Sequence, residues 1–289
     1  MKFTVQEPGL LLDLLCGKLH PETRTSIRKL LKQGGILLDG AIAVRADQSV
    51  RRGQTLEIRR GRIAIAAAHA KPPFPILFED PHVIAVLKPA GILSVATDRE
   101  KTHTLYKSVR EYVKTKSAGK EKIFIVHRLD REVSGIVLLA KSIQAQNSLQ
   151  RGWGGAEKLY CALVEGHPPQ ASATIRSWLR ENRAHNVYSC PEGPEARLAV
   201  THYRQLKKLA RHTLLEVRLE TGRKHQIRVH LSEMGCPIVG DTRYGAHASA
   251  SHRFGLCAHS LAFDHPVTRK RVHLSIPVPK ALQEFRGPR

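Results

Sequence analysis

The chain is short of acid. Against 47 Lys and Arg stand only 25 Asp and Glu, a formal charge of +22 over 289 residues. So one-sided a balance calls for a polyanionic partner, either nucleic acid or an acidic membrane surface. Long apolar runs are also missing. Those present, such as Ile136 to Ala140, are strand-sized, far below the ~18 residues that cross a bilayer, so no membrane association is expected. Met1 to Leu15 carries Glu7 and Asp13 and no signal-cleavage pattern, which argues for the cytoplasm and against export. The five cysteines (16, 161, 190, 236, 257) are an odd number without a C-x-x-C pair. They read as reduced core thiols, neither disulfides nor a zinc site. H-E-x-x-H is absent, and His225 and His230 are spaced so that they do not share a helical face, so no metal is expected. Without G-x-G-x-x-G or a P-loop, neither dinucleotide nor NTP chemistry is suggested.

What is present centres on Val126-His127-Arg128-Leu129-Asp130-Arg131-Glu132-Val133-Ser134-Gly135, followed by the apolar run to Ala140. Arg128 and Arg131 favour the charged form of Asp130. An ionised aspartate can act as nucleophile, base or metal ligand, and is a poor general acid at neutral pH. The local sequence leaves these roles open.

Residues 1–60 read as a small α/β module. Leu10, Leu11, Leu14 and Leu15 recur at helical spacing, and Thr25 to Gly34 gives a second amphipathic helix. Short apolar stretches follow, with Asp39-Gly40 as a hairpin signal. Arg24, Arg28 and Lys32 share one helical face. This order resembles the S-four (alpha-L) RNA-binding domain, which implies that Arg24, Arg28, Lys29 and Lys32 lie against RNA phosphates. Residues 61–75, with Lys71-Pro72-Pro73-Phe74-Pro75 at their end, are expected to form a semi-extended linker. From residue 76 to 289 strands are expected at Val83–Leu87, Ile136–Ala140, Lys158–Val164 and Leu214–Leu219, with a last hairpin from Leu256–Phe263 and Val272–Ile276. Helices are expected near Leu105–Val113, from Ser142, and over His225–Met234. No regular βαβ series appears, so the class is α+β on a mixed, largely antiparallel sheet with flanking helices.

Three separated segments together carry a resemblance. His127-Arg128-Leu129-Asp130 with Ser134-Gly135, Lys158-Leu159-Tyr160, and Thr221-Gly222-Arg223-Lys224-His225-Gln226-Ile227-Arg228-Val229-His230 resemble the RluA-type pseudouridine synthases. Lys88-Pro89-Ala90-Gly91, Pro237-Ile238-Val239-Gly240-Asp241 and Phe263-Asp264-His265-Pro266 support it. The resemblance implies isomerisation of uridine to pseudouridine in RNA without a cofactor. Large-subunit ribosomal RNA is then the expected substrate, tRNA the other candidate, and the enzyme is expected to be a monomer. It assigns catalysis to Asp130 as the single carboxylate of the site. Arg228 pairs with it, Tyr160 stacks on the target uracil, and Arg128 fills the space the flipped nucleotide leaves. Arg223 and Lys224 are implied to contact phosphate or substrate.

Three departures from the family pattern stand out. Val133 replaces a Thr and loses its hydroxyl, Cys257 stands where a His is frequent, and Arg151 to Ala156 is glycine-rich in a way expected to loosen the approach to Tyr160. Two other functions fit an ionised Asp in a basic chain. A ribosome assembly factor with a vestigial site binds RNA without turnover, and an N-glycosidase releases free uracil.

Overall fold

The computed structural model describes residues 1–32, 34–43, 45–58, 72–98, 100–117, 119–247 and 254–285, without the side chain of Lys32. Most of the expected 61–75 linker lies outside the described residues. The chain divides into two units, Met1–Pro72 with Arg110–Lys122, and Pro73–Val109 with Ile123–Arg289.

The first unit holds β1 (Lys2–Thr4), β2 (Gly9–Leu10), α1 (Leu11–Lys18), α2 (Arg24–Lys32), β3 (Ile36–Leu38), β4 (Ala41–Ile42), β5 (Ser49–Val50) and β6 (Thr55–Ile58). Both helices form because each buries an apolar stripe against one small core. Leu11, Leu12 and Leu15 come from α1 and Ile27 and Leu31 from α2, packed with Ile36, Leu56 and Ile58. The four-stranded sheet runs β1-β6-β3-β4. Asp39 and Gly40 turn the β3–β4 hairpin with φ of 49° and 82°, the paired positive values that a two-residue primed turn requires. The Asp39 carboxylate accepts the Thr55 N–H at 2.7 Å, which ties the turn to β6. With Ile27 and Leu31 turned inward, Arg24, Arg28 and Lys29 are exposed.

The second unit holds β7 (Ile76–Glu79), β8 (Val83–Lys88), β9 (Phe124–Ile125), β10 (Ser134–Ala140), α4 (Ile143–Arg151), β11 (Glu157–Glu165), β12 (Ser172–Glu181), β13 (Val187–Cys190), β14 (Arg197–Lys208), β15 (His212–Leu219), α5 (Gln226–Glu233), β16 (Leu256–Asp264), β17 (Arg271–Ser275) and α6 (Lys280–Gln283). Helix α3 (Leu105–Lys116) falls across the division between the units. Eleven strands form one sheet, in the order β13-β12-β14-β15-β11-β16-β10-β8-β7, with β17 paired to β16 and β9 to β10. Among the described strands of this sheet only β10 and β16 run parallel. The mixed, largely antiparallel class read from the sequence is the one found. Among the described residues, no helix is long and apolar enough to cross a membrane.

Strands β12, β13 and β14 were not expected. They are long but weakly apolar: β12 reads Ser172-Ala173-Thr174-Ile175-Arg176-Ser177-Trp178-Leu179-Arg180-Glu181. One face packs Leu179, Val187 and Ala199 against Val229 of α5, while Arg176, Arg180 and Arg204 are exposed. Half-solvated antiparallel strands lose the apolar run that marks a buried strand.

The parallel contact explains Ser134-Gly135. Ser134 and Gly135 register with Cys257 and Ala258, and Gly135 has φ of 129°. A Cβ there would sit 2.3 Å from the Ala258 carbonyl oxygen and 2.6 Å from its nitrogen. Backbone on both sides cannot retreat, so only glycine lets β10 approach β16.

Candidate active site

Asp130 lies on the turn that leads into β10, and that turn is held from below. Ser94 Oγ donates to the Leu129 carbonyl at 2.6 Å and accepts the Leu129 N–H at 3.0 Å. Lys88 is fully buried, and its Nζ donates to the carbonyls of Pro89, Ile92 and Arg131 at 3.0, 2.7 and 3.0 Å. Burial pushes the Lys88 pKa down to about 8, against the opposing pull of Glu132 and Asp130. Lys88 thereby holds the Arg131 carbonyl, on one side of Asp130, to the 89–92 segment, while Ser94 holds Leu129 on the other side. Leu129 and Val133 point inward and anchor the turn at both ends.

The partners of Asp130 come from far along the chain. Arg228 Nη1 donates to Asp130 Oδ2 at 3.3 Å, and His225 Nε2 lies 3.6 Å from the same oxygen. Among the described residues neither Arg128 nor Arg131 is ion-paired with Asp130. Sequence neighbours on a turn point away from one another, and α5 supplies the cation instead. Arg228 in turn has a stronger partner than expected: its Nε and Nη2 both donate to Asp241, at 2.7 Å each. Its guanidinium sits 5.0 Å from the Tyr244 ring centroid and 5.2 Å from that of Phe254, within cation–π range. Nη1 alone is left for Asp130 and, at 3.8 Å, for Glu132. Asp130 is therefore not the single carboxylate of the site, since Asp241 and Glu132 share its arginine.

Two cavities, of about 300 and about 520 Å³, meet at Arg128, Leu129, Asp130, His225 and Arg228. The larger is walled by Val133, Tyr160, Leu219 and Leu256 and rimmed by Arg223 and Lys224. Tyr160 stands on β11 beside a bulge at Leu159/Tyr160, opposite Val217 and Ala258. Burial first, then the charge of Asp130, raises its pKa, so its hydroxyl stays protonated. The site offers the Asp130 carboxylate beside a slot walled in part by Val133, Tyr160, Leu219 and Leu256, with Arg223 and Lys224 at the rim.

The other expected contacts are placed as follows. Arg128 is exposed at the junction of the two cavities. Lys224 pairs with Glu181, and Arg223 Nε donates to the Leu198 carbonyl at 3.0 Å. In the first unit Arg24 pairs with Asp13. Arg28 and Lys29 are exposed, and the Lys32 side chain lies outside what is described.

Sequence reasoning missed His225, Asp241 and Tyr244. The sequence places His225 in the 221–230 segment and excludes it as a metal ligand but gives it no role beside Asp130, although a polar residue opening a helix toward the site is itself a signal. The glycine-rich 151–156 connection is not loose. Trp153–Gly155 forms a 3-10 turn, and Trp153 stacks on His127 with centroids 4.6 Å apart and planes 27° apart.

His127, next to Arg128, is neutral in the fold. Its Nε2 accepts the Leu138 N–H at 3.0 Å. Burial, then the nearby Lys158, pushes its pKa down to about 3. An unfolded histidine titrates near ~6.5, so through that window the unfolded chain binds a proton the folded chain does not. Stability is thus whole above ~6.5 and falls as pH drops, by at most roughly 1.4 kcal/mol per pH unit from this side chain. His127→Gln should show a shallower loss between about pH 7 and about pH 5 in urea denaturation. Identical slopes in the two proteins would contradict this account of His127.

Residues 82–233 match the family model described as RNA pseudouridylate synthase. The chain belongs to the RluA-type RNA pseudouridine synthases. This synthase is 34% identical over 300 residues to the ribosomal large subunit pseudouridine synthase D of Xanthomonas campestris, covering 96% of this chain and 88% of that one. It is 36% identical over 286 residues to an uncharacterized RNA pseudouridine synthase of Chloroflexus aurantiacus, covering 93% and 86%. The fold is that of human RNA pseudouridylate synthase domain containing 4, with a TM-score of 0.62 at 22% identity, over 76% of this chain and 94% of that one. The synthase is an enzyme that acts on RNA.

Proposed function

We propose that this synthase isomerises specific uridines of structured large-subunit ribosomal RNA, with Asp130 as the catalytic carboxylate and the target base flipped out of its stack. The observation that carries the reading is the placement of Asp130, partly exposed where two cavities meet and held beside a buried arginine. The name of the Xanthomonas relative supports ribosomal over transfer RNA. A stacked uridine hides its reacting atoms, so the base must be extruded, which costs a few kcal/mol. Stacking on Tyr160, worth about 1–3 kcal/mol, and phosphate contacts from Arg223 and Lys224 offset that cost. Lys224 exchanges Glu181 for RNA. Arg128, exposed at the rim, fills the vacated place in the stack.

The N1–C1′ bond breaks, the uracil turns, C5 joins C1′, and the C5 proton is lost as N1 gains one. Atoms balance within the nucleoside, so no cofactor is invoked. Asp130 can begin by attacking C1′, by attacking C6 or by taking a sugar proton. Each route needs a carboxylate oxygen facing a ring held in the slot, with Arg228 keeping the carboxylate aimed.

Residues 1–60 act in this reading as an S-four-like RNA-binding module, joined through 61–75 to a catalytic domain over 76–289. Arg28 and Lys29, exposed on α2, support phosphate contact, with Arg24 and Lys32 beside them. The free cysteines suit a reducing cytoplasm, and the protein acts there as a monomer.

The test is tritium release from ribosomal RNA carrying 5-tritiated uridine, taken from cells without this protein. Release should accompany new pseudouridine at discrete positions, with no free uracil. Arg28→Glu with Lys29→Glu should raise the RNA concentration needed and flatten its salt dependence. Tight binding without release, or free uracil among the products, would overturn the reading.

A further inference from the structure

His225 opens α5 in the left-handed region, with φ of 54° and ψ of 14°, and its side chain does not cap the helix. It is buried, and its ring is turned toward the site. Nδ1 lies 2.7 Å from Tyr244 Oη, and that oxygen accepts the Val187 N–H at 3.2 Å. Since the Val187 amide already donates to Oη, the phenol proton is free to donate to Nδ1. The ring's own proton then belongs on Nε2, the nitrogen 3.6 Å from Asp130 Oδ2. Arg228 Nη1 reaches the same Oδ2, and among the described residues nothing donates to Oδ1.

We infer that His225 is a positioning residue of the isomerisation: Tyr244 fixes its proton on Nε2, and with Arg228 it ties Asp130 Oδ2 so that Oδ1 is the reacting oxygen. The inference rests on the reading of Asp130 as the catalytic carboxylate. At 3.6 Å the Nε2 contact is longer than a hydrogen bond. Such contacts shorten when substrate fills a site. The chain from Val187 amide to Tyr244, His225 and Asp130 polarises in one direction, so each bond strengthens the next. The charged groups facing the imidazole are Asp130, Arg228, Lys224 and Arg243. Burial holds its pKa well below the ordinary histidine value, so the ring stays neutral near pH 7. A neutral donor steadies Oδ2 without adding a second full positive charge beside the oxygen that must react. Tyr244 has two tasks, its ring facing Arg228 and its hydroxyl setting the tautomer.

Two measurements on the full-length protein test this. Nitrogen NMR of histidine-labelled synthase, with His225 assigned by the signal lost in His225→Gln, should show the proton on Nε2, and Tyr244→Phe should give a mixture of tautomers. Single-turnover tritium release at saturating 5-tritiated ribosomal RNA should fall about tenfold in Tyr244→Phe and about 100-fold in His225→Ala. RNA affinity should stay within about twofold. The Tyr244→Phe/His225→Ala double variant should be no slower than His225→Ala, because both changes cut one chain. His225→Gln, whose amide N–H can occupy the Nε2 position, should recover most of the loss, whereas His225→Asn should not. A proton on Nδ1, multiplied effects in the double variant, or an unchanged rate in His225→Ala would overturn the inference. Absence of release by the unsubstituted protein on any cellular RNA would instead overturn the functional reading, with the NMR result still deciding the tautomer.

Discussion

Asp130→Asn removes isomerisation to background while RNA binding stays within about twofold. The substitution keeps size and shape but removes the charge, and an amide is neither a useful nucleophile nor a base at neutral pH. Folding should hardly change, because the Asp130 side chain is 20% exposed and Arg228 keeps its two bonds to Asp241. The expected stability change is therefore within about 1 kcal/mol. Tritium release and a filter-binding titration on the same RNA separate the two effects. Turnover near that of the unsubstituted protein would remove Asp130 from the chemistry, whichever of the three starting steps is preferred. Loss of binding in parallel with rate would instead make it a recognition residue.

Asp241→Ala carries the largest expected loss of stability, about 3–5 kcal/mol. Asp241 is 1% exposed, the Arg228 side chain is 6% exposed, and the two share two bonds of 2.7 Å. Removing the carboxylate leaves a buried guanidinium whose remaining anions are Asp130 at 3.3 Å and Glu132 at 3.8 Å. The consequence reaches the reaction as well. An arginine released from Asp241 should close onto Asp130, so turnover should fall in whatever fraction stays folded. Urea denaturation with an unchanged slope and a lowered midpoint is the expected signature. A loss below about 1 kcal/mol would mean that the pair is not the support of Arg228 described here.

The parts of the site legible in the sequence were those fixed by short-range pattern. Asp130 stood out because a turn motif runs straight into an apolar strand. Tyr160 and Arg228 followed from segments whose order in the chain is distinctive. The supports were harder to see because each is a relation between distant residues. Nothing near Asp241 says that it holds Arg228 from the next turn of chain, and nothing near His225 says that Tyr244 sets its proton. Arg128 and Arg131 were over-weighted for the same reason, since adjacency in sequence does not bring charges together on a turn. The β12–β14 strands were lost because solvent on one face breaks the apolar run. Cys257, a departure from the family pattern, is buried opposite Ser134 at the parallel contact and close enough to Tyr160 to help raise its pKa.

That contact also sets when the enzyme can exist. Strand β10, which follows the turn bearing Asp130, has β8 as one neighbour, already synthesised when β10 appears, and β16 as the other, more than a hundred residues later in the chain. A parallel pairing between such distant segments closes only once both are available. Until β16 is available, the strand that follows Asp130 therefore has one wall and lacks the other. The geometry around Asp130 is thus a late product of folding, set by two distant strands and not by the local turn.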